Sequence, residues 1–319
     1  IVDEKCRAFR EALITEEVRE TLAAMRDKDA VGIADGIADA IYVLLGTAVG
    51  YGIDMRPIWN EVHRSNMEKT EGPTTGDGTK PLKPDTWYPP QIAKVLGVDA
   101  TYDRIAKEYF DMRHRTCRNF DAATKAFLSQ QRLFLRTPIL EIGAGRGRCL
   151  EFTGRPAMVH VDSSIEMLKL TPREPGLGVL SDARHLPFTD NSFSAVVAFL
   201  CDPFLDKQFL REAFRVCQQE ILLTTPDYIW GTALRGAGKH TTTFHTTDGD
   251  TVTVPSNLYT NDELTSMLTD VGFNNINIVS TKLPPDTKDV SPVVIKAAEN
   301  MEIAWQDLPL VTIIQATKP

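Results

Sequence analysis

The chain has 319 residues, 42% of them apolar and 24% charged, with a formal net charge of −8. That composition supports folded cores and excludes a disordered chain, and the length suffices for two domains. The acidic balance excludes duplex DNA or RNA as the main partner, because polyanion binding needs a basic face; a small nucleotide whose phosphates arrive with Mg²⁺ is compatible with it. The five cysteines, Cys6, Cys117, Cys149, Cys201 and Cys217, are scattered without a C-x-x-C pair and read as free thiols in a reducing cytoplasm. No secretory signal is visible. The most hydrophobic stretch, Ile37 to Ile53, contains Asp39 and spans too few residues for a membrane helix, so no membrane partner is expected.

From Asp3 to about Lys69 the pattern is helical, with no strand-like alternation. Glu16-Glu17-x-x-Glu20 places carboxylates on one helix face, one turn apart. The next helix carries Asp35 and Asp39, also one turn apart, among Val31, Ile33, Ala34, Ile37, Ala38, Ala40, Ile41, Val43, Leu44 and Leu45. A helix apolar nearly all round is predicted to be buried, and buried carboxylates need compensation. One reading is a hard divalent cation, Mg²⁺ or Mn²⁺, held by Glu16, Glu17, Glu20, Asp35 and Asp39; the other is an acidic helix surface with capping or pore-lining aspartates. Further on, Asn66 and Lys69 lie on one helical turn and suit phosphate and base contacts.

These residues resemble the MazG-like, all-α nucleoside triphosphate pyrophosphohydrolases, whose pattern is E-E-x-x-E on one helix and E-x-x-D on the next. The second motif corresponds to Gly36-Ile37-Ala38-Asp39, with Gly36 where the family has Glu and Asp35 as the adjacent substitute. The likeness continues through Tyr42 to Ala48, Gly52 to Asp54 and Glu61 to Lys69. It implies Mg²⁺-dependent hydrolysis with Glu17, Glu20 and Asp39 as catalytic residues and Asn66 and Lys69 facing the nucleotide. It also implies a homodimer through this domain, since the helix at 31–50 has more apolar faces than one neighbour helix can bury. The family has an earlier helix, so the true N-terminus is expected upstream of Ile1.

Gly72 to Pro81, with Pro84, Pro89 and Pro90, is rich in chain breakers. It reads as an active-site loop, with Lys80 and Lys83 closing over the polyphosphate, followed by the passage to a second domain. The expected domains are 1–97 and 98–319.

The second domain opens on Tyr102-Asp103-x-Ile105-Ala106-x-x-Tyr109 and reaches the apolar run Pro138-Ile139-Leu140, then Glu141-x-Gly143-x-Gly145-x-Gly147. This is a buried strand ending in a glycine-rich turn that enters a helix, where ligand atoms approach the backbone closely. A second apolar run, Ala157 to Val161, ends in Asp162, an acid placed for a ribose hydroxyl. The turn is not the dinucleotide G-x-G-x-x-G. It resembles motif I of the class I S-adenosylmethionine-dependent methyltransferases, as do Gly178 to Leu180 with Ser181-Asp182-Ala183, Leu186-Pro187-Phe188, Asn191 to Ser194, the strand-like Ala195 to Phe199, Ile221 to Pro226, and Val311 to Ala316. The resemblance spans residues 100 to 319. It implies Glu141 near the methionyl amine and Gly143, Gly145 and Gly147 against the methionine part. Asp162 falls on the ribose, Asp182 and Ala183 on the adenine, and Tyr102 and Tyr109 on the helical cover. Cys201-Asp202-Pro203-Phe204 has one proline where nucleic-acid amino-methyltransferases carry two, so that motif is refused. An acceptor pocket is expected near Asp202, Phe204 and the His240–His245 insertion.

The expected architecture is α plus α/β: an all-α bundle followed by a Rossmann-like domain with a seven-stranded, mostly parallel sheet. The expected function is bifunctional: a nucleoside triphosphate is hydrolysed to monophosphate and pyrophosphate, and a methyl group passes from S-adenosylmethionine to a nucleotide or nucleotide-derived small molecule. The rivals are a methyltransferase for an unrelated metabolite beside an independent house-cleaning hydrolase, and a methyltransferase with a non-catalytic nucleotide-sensing module.

Overall fold

The computed structural model describes residues 4–70, 87–96, 100–109, 115–131, 135–171, 176–236 and 240–319. The chain divides into two compact units, Ile1–Val98 and Asp99–Pro319.

The first unit is helical: α1 (Glu4–Asp27), α2 (Ala30–Gly50), α3 (Met55–Thr70) and the short α4 (Ile92–Val95). Lys28, at φ 58°, turns the chain, and Asp29 caps α2 by accepting the Val31 N–H at 3.1 Å. α1 and α2 then pack along a stripe centred on Gly36, which lies against Thr21. The expectation that α2 is buried fails: of its residues only Gly36 and Ala48 are buried, while Val31 and Tyr42 are each 80% exposed. The reason is geometric, since one neighbouring helix covers one stripe of a helix and not its circumference. α2 is also longer than its apolar run suggests. At 21 residues it is long and apolar enough to cross a membrane by length and composition alone, with Asp35 and Asp39 inside it.

The second unit begins with α5 (Ala100–Ile105) and α6 (Arg115–Leu128) and continues β1 (Ile139–Ile142), α7 (Cys149–Thr153), β2 (Val159–Asp162), α8 (Ile165–Leu168), β3 (Leu177–Leu180), β4 (Phe193–Ala198), α9 (Lys207–Val216) and β5 (Cys217–Pro226). Then come α10 (Tyr228–Arg235), the hairpin β6 (Thr241–His245) and β7 (Thr251–Pro255), α11 (Asn261–Val271), β8 (Asn274–Thr281), α12 (Pro292–Asn300) and β9 (Val311–Thr317). Seven strands form one sheet in the order β3-β2-β1-β4-β5-β9-β8, with β9 antiparallel to both neighbours. The central strands β1, β2 and β4 are buried along their whole length, as in a sheet covered on both faces. Alternate side chains feed two cores: Leu140, Ile142, Val196 and Ala198 enter one, Ile139, Ala195 and Val197 the other. The strand order reverses between β1 and β4, and the crevice beyond the carboxyl ends of such strands is where this topology places ligands.

Candidate functional site

Where β1 ends, Gly143, Gly145 and Gly147 take φ values of 63°, 51° and 73°, a left-handed region open to glycine at little cost. A side chain at Gly143 would also strike the Phe204 ring, 2.6 Å from its Cβ position. Glu141, 1% exposed, stands beneath this turn. Its Oε1 accepts the N–H groups of Arg148 at 2.8 Å and Cys149 at 3.0 Å, and its Oε2 lies 2.8 Å from His160 Nδ1. Both oxygens are thus engaged by the protein, and Glu141 ties the turn to α7 and β2.

Asp162, at the end of β2, accepts the Gly145 N–H at 2.9 Å through Oδ2 and the Ser164 N–H at 2.9 Å through Oδ1. Burial pushes its carboxyl up to about 6, against the lowering effect of these N–H groups. Asp103 of α5 accepts the Ser164 hydroxyl and the Glu166 N–H, tying α5 to the start of α8. After β3, Asp182 accepts the Arg184 N–H at 2.9 Å and Ala183 is buried. Sheet order therefore sets Asp182, Asp162 and the glycine turn side by side on adjacent strand ends, roughly 5 Å per step.

Beyond β4 and β5 lies a cavity of about 710 Å³ whose wall includes Asp202, Pro226, Trp230, Arg235, Thr241 to Thr246 and Lys296. The size suits a small molecule. Of the His240–His245 segment, Thr241–His245 is a β-strand lining this space, with Tyr102 and Tyr109 in the same wall: their rings are 6.2 Å apart, and Tyr109 lies 5.4 Å from Phe244. Asp202 is 7% exposed and accepts the Ser256 hydroxyl at 2.5 Å; burial pushes its carboxyl up to about 6, with Arg235 acting in the other direction.

In the first unit, Glu16, Glu20, Asp35 and Asp39 are exposed on α1 and α2 and Glu17 is half-buried. Desolvation, followed by the charges of Asp39, Glu20, Glu16 and Asp35, pushes the Glu17 carboxyl up, so the five acids share one field. Among the described residues no three His, Cys, Asp or Glu side chains are grouped to hold a metal ion. Their chemistry suits a hard cation; one chain's helices bring them into a common field without closing a ligand set. Lys69 Nζ donates to Asn66 Oδ1 at 2.8 Å and sits 5.3 Å from the Trp87 ring centre. Lys80 and Lys83 lie outside the described residues.

Residues 140–223 match the family profile described as a methyltransferase domain, and residues 2–66 match that of phosphoribosyl-ATP pyrophosphohydrolase. The chain thus carries an N-terminal stretch similar to a pyrophosphohydrolase family, followed by one similar to a methyltransferase family. The demethylmenaquinone methyltransferase of Thermotoga maritima is 31% identical over 149 residues, 43% of this chain and 64% of that protein's length. Among solved structures, a protein of Listeria monocytogenes described as an S-adenosylmethionine-dependent methyltransferase is 15% identical, with a TM-score of 0.49, and the match covers 63% of this chain and 99% of that one. An S-adenosylmethionine-dependent methyltransferase of Thermotoga maritima is 17% identical, with a TM-score of 0.47, covering 69% and 99%.

Several residues that organise the methyltransferase unit carry no motif. His160 lies inside a strand and is recognisable only through its contact with Glu141, 19 residues earlier. Arg148, 5% exposed, pairs with Asp121 of α6 at 2.6 Å behind the glycine turn. Asp227 caps α10 through Ile229 N–H at 2.8 Å and takes the Thr312 hydroxyl at 2.9 Å, fixing the helix that carries Trp230 and Arg235. An acid immediately before an apolar helix start is a readable capping signal; its tie to β9 is not.

Proposed function

We propose that the methyltransferase unit transfers a methyl group from S-adenosylmethionine to a nucleotide or nucleotide-derived small molecule, and that the N-terminal unit hydrolyses a nucleoside triphosphate to monophosphate and pyrophosphate. The observation that carries the first half is the row of Asp182, Asp162 and the glycine turn across β3, β2 and β1, which suits an elongated nucleoside-containing molecule. On this reading Asp162 accepts the ribose hydroxyls, Asp182 the adenine amine, and the backbone from Gly143 to Gly147 lies against the methionine part. Bound there, S-adenosylmethionine supplies an electrophilic methyl group. The chain's own share is orientation and exclusion of water, and the cavity beyond β4 and β5, with Asp202 in its wall, is the acceptor side. Tyr102 and Tyr109 belong to its cover.

For the N-terminal unit, the match over residues 2–66 and the shared field of the five acids support hydrolysis. Glu16, Glu17, Glu20, Asp35 and Asp39 would hold Mg²⁺ or Mn²⁺, which supplies charge neutralisation and an activated water. Asn66 and Lys69, with Lys80 and Lys83, take the nucleotide. Two copies of the chain complete this unit, and the enzyme works in the cytoplasm. Hydrolysis precedes methylation, because loss of two phosphates removes most of the charge to be desolvated at the second site.

The test is a panel of nucleoside triphosphates and phosphoribosyl-ATP, assayed for pyrophosphate release with Mg²⁺ and for label gained from S-adenosylmethionine. Asp39→Asn is expected to abolish pyrophosphate release and leave binding of the donor intact. Full hydrolysis by that variant, or in excess chelator, overturns the metal assignment. Label entering only nucleotide-free metabolites would separate the two activities.

A further inference from the structure

Among the described residues that line the cavity beyond β4 and β5, two buried hydrogen-bond donors lack partners: Nε1 of Trp230 and Nε of Arg235. Both residues come from α10, and both line the 710 Å³ cavity. Trp230 is 4% exposed, and its N–H meets no acceptor among the described residues. Buried donors of this kind are uncommon and call for an explanation, and a phenylalanine would fill the tryptophan's place with no N–H to bury. The Arg235 guanidinium is held by one contact, from Nη1 to the Thr241 carbonyl at 3.1 Å, and lies 5.5 Å from the Trp230 ring centre. Lys296 adds a second cation to the wall against the single carboxylate of Asp202. The lining also carries aromatic rings: Phe120 meets Trp230 edge-on at 5.0 Å, and Tyr102, Tyr109 and Phe244 form a second group. Orphaned donors beside surplus positive charge call for an oxygen-rich anion, and a cluster of aromatic rings for a flat apolar body.

We propose that this cavity binds a planar aromatic molecule through an anionic oxygen group, a phosphate or a carboxylate, held by the Trp230 indole N–H and the Arg235 guanidinium. The inference rests on the reading of Asp99–Pro319 as a methyltransferase, for which this molecule is the methyl acceptor. The test is calorimetry on the full chain saturated with S-adenosylhomocysteine. Adenosine 5′-monophosphate is compared with adenosine, and 4-hydroxybenzoate with phenol. At least one anionic probe is expected to bind about tenfold tighter than its uncharged counterpart, as hydrogen bonds to a charged group provide. Arg235→Gln and Trp230→Phe are each expected to weaken that probe by about fivefold or more, with S-adenosylhomocysteine affinity unchanged as the control for folding. The responding pair tells phosphate from carboxylate. If neither anionic probe outbinds its counterpart, or neither binds at all, the proposal is overturned; so it is if both variants bind the probe as the unsubstituted chain does. Failure of that chain to bind S-adenosylhomocysteine is a different result: it removes the methyltransferase reading, and the acceptor assignment falls with it.

Discussion

With Asp162 on the ribose, as proposed, donor binding is expected to depend on pH. Its two oxygens are committed to the Gly145 and Ser164 N–H groups, and burial still pushes its carboxyl up to about 6. An unfolded aspartate titrates near 3.9. The folded chain therefore holds this proton more firmly: the group's contribution to stability is complete below about 3.9 and declines as pH rises through about 6. Ligand binding runs the other way, because a carboxylate accepts a ribose hydroxyl better than a carboxylic acid does. S-adenosylhomocysteine affinity is expected to be constant above pH 7 and to weaken several-fold, up to about tenfold, between pH 7 and pH 5. Asp162→Ala should bind roughly tenfold more weakly with no such dependence. Titration calorimetry at stepped pH reads both, and a flat profile for the unsubstituted chain would remove Asp162 from the ribose. The acid after β2 was legible from its place behind a glycine turn; its titration behaviour was not, since that arises from burial and from N–H groups 2 and 17 residues away.

The pairing of α1 with α2 gives Gly36 a meaning that its motif position hides. A Cβ there would lie 3.1 Å from the Thr21 Cα and 2.5 Å from its hydroxyl, which is itself bonded to the Glu17 carbonyl at 2.8 Å. The glycine is a contact point between helices, and its flanking residue Asp35 carries the exposed carboxylate. Gly36→Glu is accordingly expected to lower the unfolding free energy of the N-terminal unit by about 1–3 kcal/mol, the usual penalty of overpacking, with no gain in Mg²⁺-dependent pyrophosphate release. Thermal melts and the pyrophosphate assay decide it: higher activity with an unchanged melt would put residue 36 at the metal. In the second unit, α5 and the β6–β7 hairpin are joined by Arg104 to Asp250 at 3.0 Å and by Glu108 to the Thr247 N–H at 2.9 Å. These partners stand more than 130 residues apart, so no local pattern shows what the insertion packs against.

At the scale of the whole molecule, large apolar side chains are exposed among the described residues. Tyr42 at 80%, Val49 at 78% and Trp59 at 69% exposure belong to the N-terminal unit, with Phe9, Leu22 and Met25 also exposed on α1. Exposed apolar side chains in such number mark an association surface, and self-association through a two-fold axis is the commonest form. Light scattering is expected to give twice the chain mass of 35.5 kDa. The double substitution Tyr42→Glu with Val49→Glu should return the mass to 35.5 kDa and abolish pyrophosphate release while preserving S-adenosylhomocysteine binding. A monomer with full hydrolytic activity would show that one copy suffices.

The sequence by itself determined the order of parts: helices bearing Glu16, Glu17, Glu20, Asp35 and Asp39, then a strand, a glycine turn, an acid after each of the next two strands, and a closing strand at 311–317. Those signals are local, because periodicity, glycine turns and strand-end acids act over a few residues. Only the tertiary structure decided that β1 lies between β2 and β4, which lines up the turn, Asp162 and Asp182. It also decided that Glu141 bonds to His160 and α7, that Trp230 and Arg235 share a cavity with Asp202, and that α2 is exposed. Each of these depends on which surfaces meet across the fold, and burial, the charge shifts it causes and the partners left over for buried donors exist only once those surfaces have met.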